Sequence, residues 1–382
     1  MDKVYLYKGT GYGESEMDAL AEQIFAPYGG AAALTEGKTR VLVKPNLVTK
    51  KGIDTGATTH PAMLRAICKV LLGAGKEVWV AESHGGTYGD SAVRSQFDAC
   101  GVTAALKDLP VKLCTEADSA FIDVPEGKKS KRFEVIKPVT QVDAIINLCK
   151  IKTHALTMFS GAAKNTFGTV PGLRKFELHA CFPDYGDFTA MLNDLHLALP
   201  VVLNIADGIL GMEGNGPTAG VPRSFGFVAV SRNAFLCDRV CLDLLGLDYA
   251  TVPQTLDAIG RGLCPEAVGA ECTDLSAEEY DSFRVKGVAL PDSHPTGKIS
   301  LVQRLLSLGG GRFVKRLKPR PVVDKKKCAA CGKCAEYCPV GTIDMKKGRP
   351  RIVRDKCITC FCCQELCPFK AIYIKKSRIL GI

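Results

Sequence analysis

Eight of the eighteen cysteines fall in two runs near the end of the 382-residue chain. Cys328, Cys331, Cys334 and Cys338 are followed by Pro339, and Cys357, Cys360, Cys363 and Cys367 by Pro368. Both runs read C-x2-C-x2-C-x3-C-P. Three thiolates at two-residue spacing can wrap one four-iron, four-sulfur cube from a tight loop, and the fourth cysteine of such a run reaches the other cube. The spacing therefore predicts Cys328, Cys331, Cys334 and Cys367 on one 4Fe–4S cluster and Cys357, Cys360, Cys363 and Cys338 on a second. Zinc sites of four cysteines are usually built from separated CxxC pairs, a different pattern. No carboxylate replaces a ligand, so both clusters are expected to be complete one-electron carriers. Cys362 falls outside the spacing and reads as a spare thiol.

The two runs are copies of one 29-residue unit, with the strand-like TIDM (342–345) recurring as AIYI (371–374). Two such copies should pack about a pseudo-twofold axis. Over about 60 residues this tail resembles the bacterial two-cluster ferredoxins.

Charge separates the tail from the rest. Residues 1–297 hold 29 Lys+Arg against 35 Asp+Glu, whereas residues 298–382 hold 21 against 5. Two clusters would add roughly −4 and leave the tail strongly positive. A redox partner protein docking at this basic tail is one expectation; lysines that merely offset cluster charge and keep a small domain soluble are the other. The stretch 297–321 reads as a basic linker with an amphipathic start, and a peripheral membrane contact is a lesser alternative for it.

A ferredoxin needs only the tail, so the preceding ~290 residues are expected to hold their own ligand. Unusual polar residues there follow strand-like runs: Lys44 and Asn46 in KPNLV, Glu82, Ser83 and His84 in AESHGG, and Lys150, Lys152 and His154 in KIKTH. His60 precedes a helical stretch. The small-residue loop SGAAKN (160–165) adds Lys164. Lysines point to an anionic ligand such as a carboxylate or phosphate, and a desolvated lysine can also form a covalent adduct. Lys44, Asn46, His84 and Lys152 are expected to bind a small anionic substrate. His60, His154 and Lys164 are expected to handle protons and charge. Asp207, Glu213 and Asn215, in a glycine-rich stretch without the P-loop Gly-Lys, are further candidates for the cleft. The cysteines Cys237 and Cys241, four apart on a helical stretch, read as buried apolar residues before they read as a metal pair. No nucleic-acid module is present.

These groups need a scaffold. RVLVKPNLV (40–48), KEVWVAES (76–83), VDAIINLCK, VVLNIADGI and FGFVAVS are strand patterns, and 60–75, 89–101 and 233–246 are helix patterns. The alternation predicts an α/β fold, a mostly parallel sheet covered by helices, over residues 1–296, followed by the linker and an α+β ferredoxin-like domain over 322–382. Ligands in such sheets bind at the carboxyl ends of strands. No apolar run approaches the length of a membrane span and no signal-peptide pattern opens the chain, so a cytoplasmic location is expected, where so many cysteines point to metal rather than disulfides.

VLVKPNL, THP, KTH, SGAAKN, DGILGMEGNGP and the cysteine tail together resemble the prokaryotic family called domain of unknown function 362 over nearly the whole chain. The family name implies no activity. A more distant likeness is to the nickel-pincer lactate racemases, which share a Thr-His motif and a histidine ten residues before a loop lysine. That likeness implies acid/base roles for His60 and His154, an anchoring or substrate role for Lys164, and an approximate match of His179 to a nickel-ligating histidine. Ala162 departs from the loop pattern, and a racemase exchanges no net electrons. The readings carried forward are an iron–sulfur oxidoreductase acting on a small anion, a non-catalytic electron-transfer or assembly partner, and a racemase-like isomerase with accessory clusters.

Overall fold

The computed structural model describes residues 2–293, 319–345 and 348–375. Most of the expected linker, 297–318, lies outside these residues. A nine-stranded sheet organises the large part of the chain. Its strands are β1 (Tyr5–Lys8), β2 (Arg40–Lys44), β3 (Glu77–Val80), β4 (Lys112–Leu113), β5 (Ala144–His154), β6 (Met158–Ser160), β7 (Val201–Glu213), β8 (Val221–Arg223) and β9 (Phe227–Ser231). The order is β1-β9-β7-β5-β2-β3-β4, with β6 paired to β5 and β8 to β7. The five strands β7-β5-β2-β3-β4 run parallel, while β9 and β1 complete one edge antiparallel.

Apolar runs make buried strands because both faces are covered. Successive side chains alternate between faces. Val41 and Val43 meet Met17, Phe25, Leu64 and Ile67 from α1 (Glu14–Phe25) and α2 (Pro61–Gly73). Leu42 and Ile145, between them in register, enter a different core with Phe188, Met191 and Leu195 of α4 (Tyr185–Leu197), which follows α3 (Arg174–Cys181). A further core packs α5 (Ala234–Leu244) on Cys149, Ile151 and Phe227. Cys237 and Cys241 are buried there among apolar side chains.

The cysteine tail folds as two hairpin-like pairs. Ile343 pairs with Ile352 and Val323 with Ile372. Shifting the first pair by 29 residues, forward for one member and back for the other, gives the second, which is the register of a pseudo-twofold. The backbone repeats too. Ala330 and Thr359, Gly332 and Phe361, and Gly341 and Lys370 all have positive φ. The short helices Lys333–Glu336 and Cys362–Glu365 are equivalent in the same way. The unit is docked, since Phe361 and Ile374 lie in the same core as Leu42, Phe188 and Leu195. Tyr337 stacks on Phe176, and Tyr185 Oη bonds to Thr359.

Candidate functional site

A chain of asparagines fixes the strand ends. Asn204 Oδ1 on β7 accepts from Asn147 Nδ2 on β5 at 2.8 Å, Asn147 Oδ1 accepts from Asn165 Nδ2 at 2.8 Å, and Asn165 Oδ1 accepts from Asn46 Nδ2 at 2.8 Å. Buried amides are costly unless paired, so this relay locks the loops after β2, β5 and β6 together. Asn46 Oδ1 then accepts from Lys152 Nζ.

The loop after β6 is held from below. Asp238 on α5 accepts from the backbone N–H groups of Ala162 and Ala163 at 2.6 and 3.0 Å. Burial pushes its carboxyl up to about 7. Any Cβ on Gly161 would come within 2.1 Å of Asp238 Oδ1, and one on Gly168 within 2.1 Å of Glu82 Oε1. Glycine is required at both positions by room rather than by conformation. This pinning aims Lys164 into a cavity of about 70 Å³.

Five lysines sit in or near this region, and four are tied. Lys44 pairs with Glu82 and donates to the Pro45 carbonyl. Lys150 pairs with Asp207 and donates to Tyr12 Oη at 2.8 Å. Lys152 donates to Asn46 Oδ1 and the Ala57 carbonyl, and Lys175 to Ser83 O, Ser83 Oγ and the Val170 carbonyl. Lys164 makes no hydrogen bond or ion pair among the described residues; its Nζ lies 5.8 Å from the Phe167 ring centre. Burial, and then the charge of Lys164, lowers Lys152 to about 7. Burial also lowers Lys175 to about 7, against the opposing pull of Glu82. Lys164 is lowered by burial, opposed by Glu365.

Two histidines line the same cavity. His154 Nδ1 accepts from Leu156 N at 3.0 Å, so a neutral ring carries its proton on Nε2. Burial holds His154 far below the usual imidazole range. Such a ring donates from Nε2 and has no lone pair left to accept. His179 stacks on Phe188 at 4.2 Å and is pushed down to about 3 by burial.

The remaining wall comes from the cysteine tail. Glu365 and Leu366 line the cavity with Lys152, His154 and Lys164. The attachment is specific: Thr218 Oγ1 donates to the Glu365 carbonyl at 2.7 Å, and Gln364 Nε2 donates to the Asn215 carbonyl at 3.5 Å. Burial raises the Glu365 carboxyl, opposed by Lys164, Lys152 and Lys175.

One pocket is lined by Cys328, Cys331, Cys334 and Cys367. Burial and then the neighbouring thiols of Cys331, Cys367 and Cys328 raise the Cys334 thiol. Burial and then Cys360, Cys357 and Cys338 raise Cys363. Crowded thiols of this kind lose their protons to a bound metal. Backbone N–H groups point at the sulfurs in a repeated way: Ala330 N to Cys328 and Thr359 N to Cys357 at 3.4 Å, Thr342 N to Cys338 at 3.4 Å and Ala371 N to Cys367 at 3.3 Å. The residues present fit thiolate-held iron–sulfur clusters. Cys362 is buried, its Sγ 4.0 Å from the Cys360 carbonyl.

Of the residues predicted to form the site, Asn46, Lys152, His154 and Lys164 line one cavity. The others stand apart. His60 caps α2, its Nδ1 accepting from Ala62 N, and stacks on Tyr12 at 3.9 Å in the Lys150–Asp207 cluster. His84 lies beside the wall formed by Ser83 and Gly85, and Lys44 is consumed by Glu82. Asp207 pairs with Lys150, Glu213 with Arg223, and Asn215 with Asp292. Lys175, Asp238 and Glu365 were missed. Glu365 carries one available signal, its place between two ligand cysteines, but nothing local says what that turn faces.

Comparison with known proteins follows the same division. Residues 41–243 match the family described as Domain of unknown function (DUF362), and residues 320–368 match the 4Fe-4S dicluster domain. The thylakoid-associated protein sll1697 of Synechocystis sp. is 30% identical over 265 residues, 69% of this chain and 81% of that one. The lactate racemase apoprotein of Thermoanaerobacterium thermosaccharolyticum aligns at 15% identity and a TM-score of 0.37, over 62% of this chain and 56% of that one. Among the described residues no helix is long and apolar enough to cross a membrane.

Proposed function

This chain belongs to the DUF362 family and carries an iron–sulfur electron-carrying domain, and from that premise we propose that it is an oxidoreductase whose substrate is a small anion held in the lysine-lined cavity. One observation carries the reading. Glu365, two residues from Cys363 and two from Cys367, lines the same cavity as Lys152, His154 and Lys164. The turn that presents thiolates on one side closes the substrate space on the other.

Cys328, Cys331, Cys334 and Cys367 would hold one 4Fe–4S cluster and Cys357, Cys360, Cys363 and Cys338 a second. When bound, such clusters supply one-electron transfer. The chain's own residues do the rest. Lys152 has two of its three N–H bonds satisfied and offers the third to an anion. His154 Nε2–H is a neutral donor for a carbonyl or carboxylate oxygen. Lys175, saturated by Ser83 and Val170, contributes field rather than contact. Leu366, Phe176 and Pro217 narrow the cavity, and a low local dielectric strengthens each charge interaction inside it. The electron donor is proposed to be an acidic redox protein. It would dock at a second pocket of about 220 Å³ lined by Arg320, Arg354 and Lys356 beside Cys357.

The test is anaerobic. Protein reduced with dithionite and freed of excess reductant is mixed with short carboxylates, oxo acids and phosphoesters, and cluster absorbance is followed. Reoxidation by a restricted set of small anions, lost in Lys152→Ala, is the expected result. Equal reoxidation by every compound, or by none, would overturn the reading.

A further inference from the structure

We propose that Lys164 Nζ is a nucleophile that binds the carbonyl carbon of the cavity's ligand covalently, so that the substrate class is a two- to four-carbon oxo acid. The inference rests on the reading of the cavity as a substrate site and adds a bond to it.

The argument starts from what the other lysines are doing. Lys44, Lys150, Lys152 and Lys175 each spend their N–H bonds on carboxylates, backbone carbonyls or an amide oxygen. A buried ammonium without acceptors is expensive, and four of five sites avoid that cost. Lys164 does not: among the described residues its Nζ has no hydrogen bond and no ion pair, and its nearest aromatic face is the Phe167 ring. A side chain needed only for charge gains nothing from this isolation. A nucleophilic amine requires it, because the lone pair must be both unprotonated and unshared. Burial favours the neutral amine, opposed by Glu365 and Cys362 and helped by Lys44.

The backbone adds precision. Asp238 holds the N–H groups of Ala162 and Ala163, Asn147 Nδ2 donates to the Ala162 carbonyl at 2.8 Å, and Asn165 is fixed by two amides. Lys164 thus carries an unbonded side chain on a turn held at Ala162, Ala163 and Asn165, which is how a positioned nucleophile is built.

The partners match a carbonyl bearing a carboxylate. Lys152's remaining N–H and His154 Nε2–H offer two donors for oxygens, and about 70 Å³ admits few heavy atoms. The step balances without oxidant. The nitrogen lone pair attacks the carbonyl carbon, a C–N bond forms, and the C=O π bond opens onto oxygen. Two protons, one from the attacking nitrogen and one from the Lys152 ammonium, leave with that oxygen as water; the nitrogen keeps its other proton, giving a protonated imine and a neutral Lys152. A protonated imine accepts electrons more readily than the parent carbonyl, which suits a site beside an electron carrier.

The test uses the anaerobically purified holoprotein with glyoxylate, pyruvate or 2-oxobutyrate and sodium cyanoborohydride, followed by peptide mass mapping. At least one probe is expected to add its mass less one oxygen atom to Lys164. Lys164→Arg keeps a long basic side chain and the cluster absorbance but loses that adduct by more than ten-fold. Calorimetric binding of the oxo acids without an adduct on Lys164, or an adduct equal in both proteins, overturns the covalent bond and leaves the cavity reading standing. Neither heat nor adduct with any probe overturns both.

Discussion

Copy one and copy two of the cysteine unit share a fold and differ in their company. Gly332 and Phe361 are equivalent, both left-handed at φ of 78° and 60°. Gly332 adopts that conformation at little cost; for phenylalanine it costs on the order of 1 kcal/mol. Phe361 remains there because its ring is 4% exposed in the core of the large domain. Glu336 and Glu365 are equivalent too. Glu336 is exposed, whereas Glu365 lines the lysine cavity. The same turn is therefore a surface loop in one copy and a cavity wall in the other, and Phe361 is where the second copy trades backbone strain for a buried ring.

The largest difference should appear when ligand cysteines are removed. Cys363→Ala and Cys331→Ala are each expected to lower iron from about eight to about four per chain. Only Cys363→Ala should abolish reoxidation by a cavity ligand. Equal loss of reoxidation in both variants would break the asymmetry.

Next comes stability. Phe361→Ala should cost about 3 kcal/mol, from cavity formation alone, because alanine keeps a Cβ and with it the left-handed backbone strain. Gly332→Ala, with nothing within 4 Å of the added Cβ, should cost about 1 kcal/mol. Urea denaturation monitored at Trp79 reads both, and the comparison fails if the two are alike.

A smaller effect is expected at the paired glutamates. Removing the carboxylate charge beside Lys152 and Lys164 by Glu365→Gln should tighten an anionic ligand about ten-fold, about 1.4 kcal/mol. Glu336→Gln should leave calorimetric affinity unchanged.

The smallest is a pH trend carried only by the second copy's cavity. Lys152 and Lys175 sit at about 7 in the folded chain against an ordinary value of 10.5. Between those values the unfolded chain binds more protons, so stability of the ligand-free protein should rise with pH across that window. Anion affinity should fall over the same window as the ammonium charges disappear. Thermal melts with and without ligand from pH 7 to 10 would show a shallower rise with ligand, its stabilisation shrinking as pH increases; parallel slopes would mean these lysines do not face the anion.

Much of this was legible beforehand. Buried strands announced themselves through unbroken apolar runs, and Pro61 after His60 marked a helix start that the structure places at Pro61–Gly73. The set Lys150, Lys152 and His154 is spaced by two on one strand, which puts the three on one face. What spacing cannot say is who meets whom across the sheet. Lys150 meets Asp207 and leaves the cavity to Lys152. His60 is drawn off by Tyr12. Glu365 and Lys175 were invisible because their role arises from docking and from a helix packed on Ser83, both contacts between distant segments.

The two glycines that frame the Lys164 loop have a consequence for how such a protein can diversify. With no room for a methyl group at Gly161 or Gly168, that wall is closed to inherited change. Other lining residues, Val48 and Pro217 from the α/β part and Leu366 from the tail, carry side chains that can be exchanged for others. Leu366 belongs to the cysteine turn. A change at Leu366 would therefore reshape the substrate space by editing the electron-carrying module, leaving the Lys164 loop as it was.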